Sequence, residues 1–485
     1  MNAALVGVLA YLALGVVGLL GKARLCAALA ILAGLAALAA WAPGFPEGVV
    51  GGVPWGIPVA GDTLALAFWA LILVVHTVVL WHERHRTGAF HPLLALLMGT
   101  CLAAVLSRDL FNLYVALELA SLLSFLLTGY EGKVRAVWAS LQYLILATVG
   151  MTLYLFGLGL VYGKLGTLSI SEIAAMSLDL SDPALAVGVG LPLAGAAVKG
   201  GLFLFGLWLP PAHGYAPTGV SAVLSGVVVN MGAVALARLA EAFPVGPMLI
   251  ALGLLTGFGG LTYAIWEPDL KVFLAFSTVS QLGYVLIGLG LGGPAQFGAI
   301  LYAVAHGLFK GLLFLAAGTG IEGTGVRSIP ALAGRLPLPS ALALGVGTWA
   351  IAALPPLAGF AAKGALAIGA PPVAKWVLFA LGVGTAASFS KLLPLLRPAG
   401  RRGGFGGMGL LMGAVVGFGL WGLAEFSGLM TPGAWGEAFL GAGAGYGLYL
   451  AVRRFHPRLP RFTLDRAAVA ALLGAVGIAL GILLA

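Results

Sequence analysis

Sixteen apolar stretches, each eighteen residues or longer, follow one another along this 485-residue chain with only short polar segments between them. A stretch of that length crosses the hydrocarbon core of a bilayer as one helix. A helix is also the form in which an isolated segment satisfies its own backbone hydrogen bonds in lipid. The stretches fall near 3–20, 24–41, 62–81, 90–107, 110–129, 135–163, 184–209, 218–242, 246–266, 270–291, 296–318, 340–369, 372–396, 405–428, 433–452 and 466–485. Charged residues are 8% of the chain, against about 25% in a soluble globular protein, too few to cover a water-facing surface of this size. The 75 glycines suit close packing between membrane helices. The expected fold is an all-α polytopic membrane protein with about 14–16 transmembrane helices. The N-terminus has no positively charged segment before its first apolar run, so it reads as a span and not as a cleaved signal.

Charge placement gives the spans a direction. The net charge is +9, and the basic residues lie mostly in short loops. Of the 25 lysines and arginines, Lys199, Lys310, Lys363 and Lys391 fall inside spans. Arg108, Lys164, Arg238 and Lys375 follow even-numbered spans, and all the others, Arg401, Arg402, Arg458 and Arg461 among them, follow odd-numbered ones. Cytoplasmic loops carry the excess of basic residues, so the odd loops are expected in the cytoplasm and both termini on the opposite side. This distribution accounts for the basic balance without a nucleic-acid partner. Cys26 and Cys101 sit apart in apolar stretches and form neither a disulfide framework nor a metal-binding spacing. Gly288, Gly290 and Gly293 match G-x-G-x-x-G, but no strand precedes them and they end an apolar span, which excludes a dinucleotide fingerprint. Trp138 and Trp376 read as interface or packing residues.

The chain also repeats. Residues 192–202 read PLAGAAVKGGL and residues 356–366 read PLAGFAAKGAL. At the same offset of 164, Gln142 falls on His306. Five spans per copy, an odd number, would set two copies in opposite orientations, as in inverted-repeat transporters. The expected division is N-terminal helices in 1–85, a first five-helix repeat in 86–242, a second in 243–397 and C-terminal helices in 398–485. Pro192, Gly195, Gly200 and Gly201 surround Lys199, and Pro355, Pro356, Gly359 and Gly364 surround Lys363. Spans 7 and 12 are therefore expected to be broken helices.

Ionisable side chains inside the spans carry the functional reading. Glu118 stands in DLFNLYVALELASLLSFLL, and Lys199 in LPLAGAAVKGGLFLFGLWLPP. His306 and Lys310 lie four residues apart and hence on one helix face. Each ionised group near mid-membrane costs about 2.5–3.5 kcal/mol. Burial without a counter-charge disfavours the charged form and pairing restores it, so a buried amine holds or releases a proton according to where its counter-charge sits. Broken helices are where transporters place ion sites. The plainer readings are a static Glu118–Lys199 pair that locks two helices, a packed core histidine at 306, and a Lys391 that reaches to the interface.

These segments together resemble the antiporter-like subunits shared by Mrp-type sodium/proton antiporters, membrane-bound hydrogenases and respiratory complex I, from roughly Asp62 to Leu396. DLFNLYVALELASLLSF resembles the fifth-span motif with its glutamate, here Glu118. VKGGLFLFGLWLPPAHGYAPTGVSA resembles the seventh-span lysine and the loop after it, here Lys199 and His213. EPDLKVFLAFSTVSQLGYVLIG resembles span ten, with Lys271 near the cytoplasmic surface. HGLFKGLLFL resembles span eleven, with His306 and Lys310, and PPLAGFAAKGAL the broken span twelve, with Lys363. Lysine at 363 resembles the D-type Mrp subunits, and the stretch HPRLPRFTLD resembles those subunits or their hydrogenase-associated relatives. The chain departs from the family in span eight, SGVVVNMGAVALARL, where Asn230 stands at the usual lysine; asparagine bonds water but holds no transferable proton. Gln281 stands where some relatives have histidine.

The resemblance implies a proton or sodium/proton translocating subunit of a multi-subunit membrane complex in a prokaryotic plasma membrane. Glu118 and Lys199 would form a switchable pair. Asn230, His306 and Lys310 would line a hydrated path, and Lys363 would hand the proton to the far side, with His213, Gln142 and Lys391 in support. No cofactor or metal is expected on this chain, so any oxidoreductase activity would lie in partner subunits. Two alternatives stay open: a proton-pumping subunit of a quinone- or hydrogenase-linked oxidoreductase, and a scaffold or single-chain solute carrier.

Overall fold

The apolar runs form helices, and polar or glycine-rich breaks end them. In the computed structural model, which describes residues 3–41, 44, 47–52, 56–399, 404–455, 457, 459–460 and 463–484, the order begins α1 (Ala3–Leu20), α2 (Ala23–Ala39), α3 (Thr63–His82), α4 (Phe90–Leu106), α5 (Leu110–Thr128) and α6 (Val134–Leu165). There follow α7 (Ile170–Ala174), α8 (Pro183–Gly200), α9 (Leu209–Tyr215), α10 (Thr218–Val223) and α11 (Val229–Ala242), the last two joined by a turn of π-helix at Leu224–Val228. The chain continues through α12 (Gly246–Trp266), α13 (Leu270–Leu291), α14 (Gly293–Thr324), α15 (Ile329–Leu332), α16 (Leu338–Ile351) and α17 (Ala358–Ile368). It ends with α18 (Pro372–Ser390), α19 (Gly407–Glu425), α20 (Pro432–Val452) and α21 (Leu464–Leu483). Every expected span meets a helix. Eleven helices among the described residues are long and apolar enough to cross a membrane.

Two features differ from expectation. A hairpin of β1 (Glu47–Val50) and β2 (Ile57–Ala60) pairs antiparallel, Glu47 opposite Ala60, because short β-branched runs flank a glycine-rich turn. The short helices α7 and α15 lie in what read as loops. Arg401, Arg402, Arg458 and Arg461, counted above with the odd loops, lie outside the described residues, as does part of HPRLPRFTLD.

The chain forms two compact units. The first holds Met1–Trp208, Val227–Met248 and Phe462–Ala485; the second holds Leu209–Gly226 and Leu249–Arg461. In the first, α6 packs along α8, and α21 returns from the far end of the sequence to pack on α8 as well. In the second, α14 packs between α13 and α17, and α18 against α20.

Each unit carries the same run of local devices. Asp109 caps α5 by accepting from the Asn112 amide at 2.8 Å, and Asp269 caps α13 by accepting from the Val272 amide at 3.1 Å. Asp109 bridges to Ser169 and Asp269 to Ser328, both antiparallel. α6 and α14 have 32 residues each and end on left-handed glycines, Gly166 and Gly325. These elements recur at an offset of 159 or 160, and the offset reaches 164 only at the lysines. In the helical frame Gln142 therefore falls on Leu301, and Tyr143 on Tyr302. The equation of Gln142 with His306 holds only if the lysine offset is carried back across a loop of different length.

A four-charge cluster fastens the first unit. Asp62 Oδ2 accepts from Arg238 Nη1 at 2.5 Å and Arg108 Nη1 at 3.1 Å, while Glu241 accepts from the same two groups at 2.8 and 2.9 Å. Arg238 is fully buried and also donates to the Val105 carbonyl at 3.0 Å. Burial pushes the Asp62 carboxyl up, but the Arg238 bond and the Arg238 and Arg108 charges outweigh it and hold the carboxyl below its usual range. A lowered carboxylate contributes its stability above its ordinary value of about 4 and loses it as pH falls through the folded value. Arg238→Ala leaves two part-exposed carboxylates sharing one arginine, so the cost falls below the roughly 3–5 kcal/mol of a fully buried pair that loses one partner. The expected result is a lower melting temperature in detergent at neutral pH, with the difference from the unsubstituted chain shrinking below about pH 4.

Candidate functional site

Both expected breaks are present, and a lysine stands at each. α8 stops at Gly200, and Gly201 turns left-handed at φ 68°, a conformation that costs a side-chain-bearing residue roughly 1–2 kcal/mol. The carbonyls freed by the break are bonded within the protein: the Gly201 amide donates to Val198 O at 3.1 Å, and Trp208 Nε1 donates to the same oxygen at 2.8 Å. That satisfaction is what permits irregular backbone among apolar helices. Lys199, 1% exposed, is the last residue but one of α8.

The Lys199 ammonium donates to Ser121 Oγ at 2.7 Å. No ion pair within 4.0 Å joins it to Glu118 among the described residues; the Ser121 hydroxyl that accepts from Lys199 donates in turn to the Leu117 carbonyl at 3.0 Å. Ser121 lies three residues after Glu118 on α5, on the same face. Both line a cavity of about 30 Å³ with Tyr143, Ala147 and Thr148, the space one water molecule occupies. Glu118 is half-buried, and its Oε2 is buried without a hydrogen-bond partner among the described residues. Tyr143 stacks on Trp208 at 4.0 Å between ring centroids, which ties the cavity wall to the break. Gln142, half-buried on α6, is not among the residues lining this cavity.

The second unit presents a longer polar line. Lys310, fully buried, donates to Leu274 O at 2.9 Å and to Ser277 Oγ. One turn along α14 is His306, with both ring nitrogens buried and unpartnered among the described residues. One further turn is Tyr302, which donates to Gln281 Oε1. Gln281 Nε2 donates to Thr385 Oγ1 at 3.2 Å. The Tyr284 and Tyr302 rings lie 5.2 Å apart, and Lys363 Nζ donates to Tyr284 Oη at 3.4 Å. Two helices thus face each other with one polar group per turn: Ser277, Gln281 and Tyr284 on α13, and Lys310, His306 and Tyr302 on α14.

Lys363 sits at the other break. α16 ends at Ile351 and α17 begins at Ala358. The Lys363 ammonium donates to Ile351 O at 3.2 Å, closing the end of one half-helix from the other. It lies 4.4 Å from the Tyr284 ring centroid and 5.7 Å from that of Tyr302, within reach of cation–π attraction. A Cβ on Gly359 would fall 1.8 Å from Ala350 O, so only glycine allows the half-helices to approach this closely.

The remaining expected residues have other surroundings. His213 is buried in the segment after the first break, its ring 5.8 Å from that of Phe314. The segment is held by Arg327, which donates to Gly214 O at 2.8 Å and grips Asp269 with two bonds, and by Lys271, which donates to Ala216 O at 2.7 Å. Lys271, in the first turn of α13, is 4% exposed. Asn230 is buried on α11 just beyond the π turn. Lys391 donates to Ala264 O, Ile265 O and Glu267 O at 2.6, 3.3 and 2.8 Å, which caps the C-terminus of α12. Ser121, Ser277, Tyr284, Tyr302 and Thr385 were not singled out from sequence. Their signal is there, a polar residue every three or four positions on α13 and α14, but serine and tyrosine inside apolar runs carry no charge to draw notice.

Many apolar spans with ionisable groups at helix breaks define a multi-span membrane protein of the kind that handles ions within the bilayer. The chain belongs to the NADH:quinone oxidoreductase/Mrp antiporter transmembrane family, whose profile matches residues 107–389. It is 35% identical over 351 residues to NADH-quinone oxidoreductase subunit N of Desulforudis audaxviator, covering 68% of this chain and 69% of that one. It is 35% identical to the A-type Na(+)/H(+) antiporter subunit of Alkalihalophilus pseudofirmus over 64% of this chain and 43% of the relative. It is 31% identical to the antiporter protein mnhD2 of Staphylococcus aureus over 64% and 65%. The alignment thus spans less than half of the Alkalihalophilus relative and just under two thirds of mnhD2. In fold the chain is similar to chains of three solved complexes. A chain of the archaeal membrane-bound sulfane sulfur reductase has a TM-score of 0.77 at 22% identity, covering 93% and 98% of the two chains. One of the Mrp complex from Dietzia gives 0.73 at 23%, covering 100% and 99%. One of respiratory complex I from Thermus thermophilus gives 0.75 at 24%, covering 92% and 99%. The chain is therefore a membrane-spanning, antiporter-like protein of this family.

Proposed function

We propose that this chain translocates protons, alone or in exchange for sodium, as one member of a multi-subunit complex in a prokaryotic cell membrane. The observation that carries the reading is the line of buried polar side chains in the second unit from Lys310 past His306 to Tyr302, Gln281, Tyr284 and Lys363. Buried polar groups are ordinarily hydrogen-bonded, and an imidazole with two unpartnered nitrogens in such a line calls for water. Hydroxyls donate and accept, so with water the tyrosine hydroxyls and the imidazole pass a proton between the two amines, while the Gln281 amide, which holds no transferable proton, orients Tyr302. In the first unit, Glu118 and Lys199 switch through Ser121 and the small cavity beside it. Asn230 contributes a water-binding amide and no transferable proton. The recurrent aspartate caps, 32-residue helices and lysine-bearing breaks support reading 86–242 and 243–397 as two copies of one five-helix unit.

Lys310→Ala tests the reading. In membrane vesicles containing the chain with its copurifying partners, proton movement followed by a pH-sensitive dye is expected to fall about tenfold or more at unchanged protein level. A wild-type rate in this variant would refute the relay. The likeness to the Desulforudis oxidoreductase protein favours a second reading, a pumping component of a quinone-linked oxidoreductase. Copurification separates the two: redox-cluster proteins support the second reading, and further antiporter-like chains alone support the first.

A further inference from the structure

The polar line ends at Lys363, and beyond it the second unit opens into a cavity of about 440 Å³ bounded by the break before α17, by α18 and by α20. At about 30 Å³ per molecule that space holds on the order of a dozen waters. The face that α20 turns to it consists of Ala434, Glu437, Ala438, Gly441 and Ala442, spaced as one side of a helix. Four of the five are small and leave the space open. Glu437 is the one carboxylate among the described residues lining the cavity and the one charged residue of α20. α20 is fixed there by packing: Phe360 of α17 meets Trp435 edge-on at 6.5 Å, and Trp435 Nε1 donates to Leu429 O at 3.0 Å. The titratable groups facing Glu437 are Lys363 from α17, Lys375 from α18 and Tyr284 from α13. Lys363 is half-buried, whereas Lys375 and Glu437 are exposed. Lys375 follows an even-numbered span and Glu437 lies soon after another, so the basic-residue count places this mouth on the non-cytoplasmic side.

We propose that Glu437 is the terminal proton acceptor of the chain, taking the proton of Lys363 through the water of this cavity and releasing it outside. The N–H bond of the Lys363 ammonium breaks and an O–H bond forms on the Glu437 carboxylate, leaving a neutral amine and a neutral acid. The acid then loses its proton to bulk water, Lys375 stabilises the carboxylate that returns, and the relay reloads the amine. The inference rests on the relay proposed above and adds its outlet.

In vesicles holding the whole complex, Glu437→Gln is expected to slow proton movement about tenfold at unchanged protein level. Imidazole, a mobile buffer added on the non-cytoplasmic side, restores the rate, and Glu437→Asp retains it. A wild-type rate in Glu437→Gln, or a slow rate that buffer does not raise, overturns the proposal, since a merely structural loss does not respond to a diffusing proton acceptor. Ala442→Cys gives a reading independent of transport: a membrane-impermeant thiol reagent labels it from the non-cytoplasmic side, against two native cysteines that are buried. Absence of labelling removes the aqueous outlet and with it the proposal. Loss of transport in Lys363→Ala with none in Glu437→Gln sinks the outlet alone. Full activity in both sinks the relay itself.

Discussion

Lys363→Ala stops proton movement, by about a hundredfold or more, while the complex still assembles. The substitution removes the amine where the line from Lys310 meets the break in span 12, and the Tyr284 hydroxyl then faces an empty position. The cavity around Lys363 accepts the smaller side chain without repacking, so protein level on an immunoblot is expected to stay unchanged. Lys363→Arg makes the test sharper. A guanidinium keeps the positive charge, still reaches the Ile351 carbonyl and still lies over the Tyr284 ring, but it does not give up its proton in proteins. Arginine is therefore expected to preserve the fold and remain as inactive as alanine. An active Lys363→Arg variant would mean that the position needs charge and not proton exchange.

Glu118→Gln is expected to lower transport about tenfold or more with no loss of assembly. The glutamine keeps the size of the side chain and its place beside the cavity shared with Ser121, and removes the counter-charge that attracts the Lys199 ammonium. Ser121→Ala is the informative companion. It takes away the hydroxyl to which Lys199 donates and leaves Glu118 as the acceptor one turn away, so the amine swings to the carboxylate and transport falls much less than in Glu118→Gln. Equal losses in the two variants would assign the essential contact to the hydroxyl. Dye-quench rates in vesicles, normalised to protein level, separate these outcomes.

The spans were legible because a bilayer admits so few backbone solutions that length and apolarity suffice to find them. The two breaks were legible for a similar reason, since proline and glycine crowd around a lysine at each. Contacts were not. Nothing in DLFNLYVALELASLLSF distinguishes a lysine that bonds Glu118 from one that bonds Ser121 one turn later, because both lie on the same face of α5. Lys391 read as a side chain reaching for an interface, yet its three bonds cap a helix that ends more than a hundred residues earlier in the chain. Tyr302 and Gln281 gained meaning only when α13 and α14 were seen to run side by side, which no spacing within one helix reveals. The hairpin at 47–60 was hidden by its brevity.

The ammonium that would carry the charge across is also the latch on a severed helix: Lys363 holds the Ile351 carbonyl of one half while standing on the other. Whenever it surrenders its proton, a charge-assisted bond weakens to an ordinary one and the tension between the half-helices changes. Electrical and mechanical cycles would then share a single atom, and amides at the junction would exchange with deuterium faster at each discharge. Coupling to a distant partner would begin with a backbone that loosens and tightens in step with current.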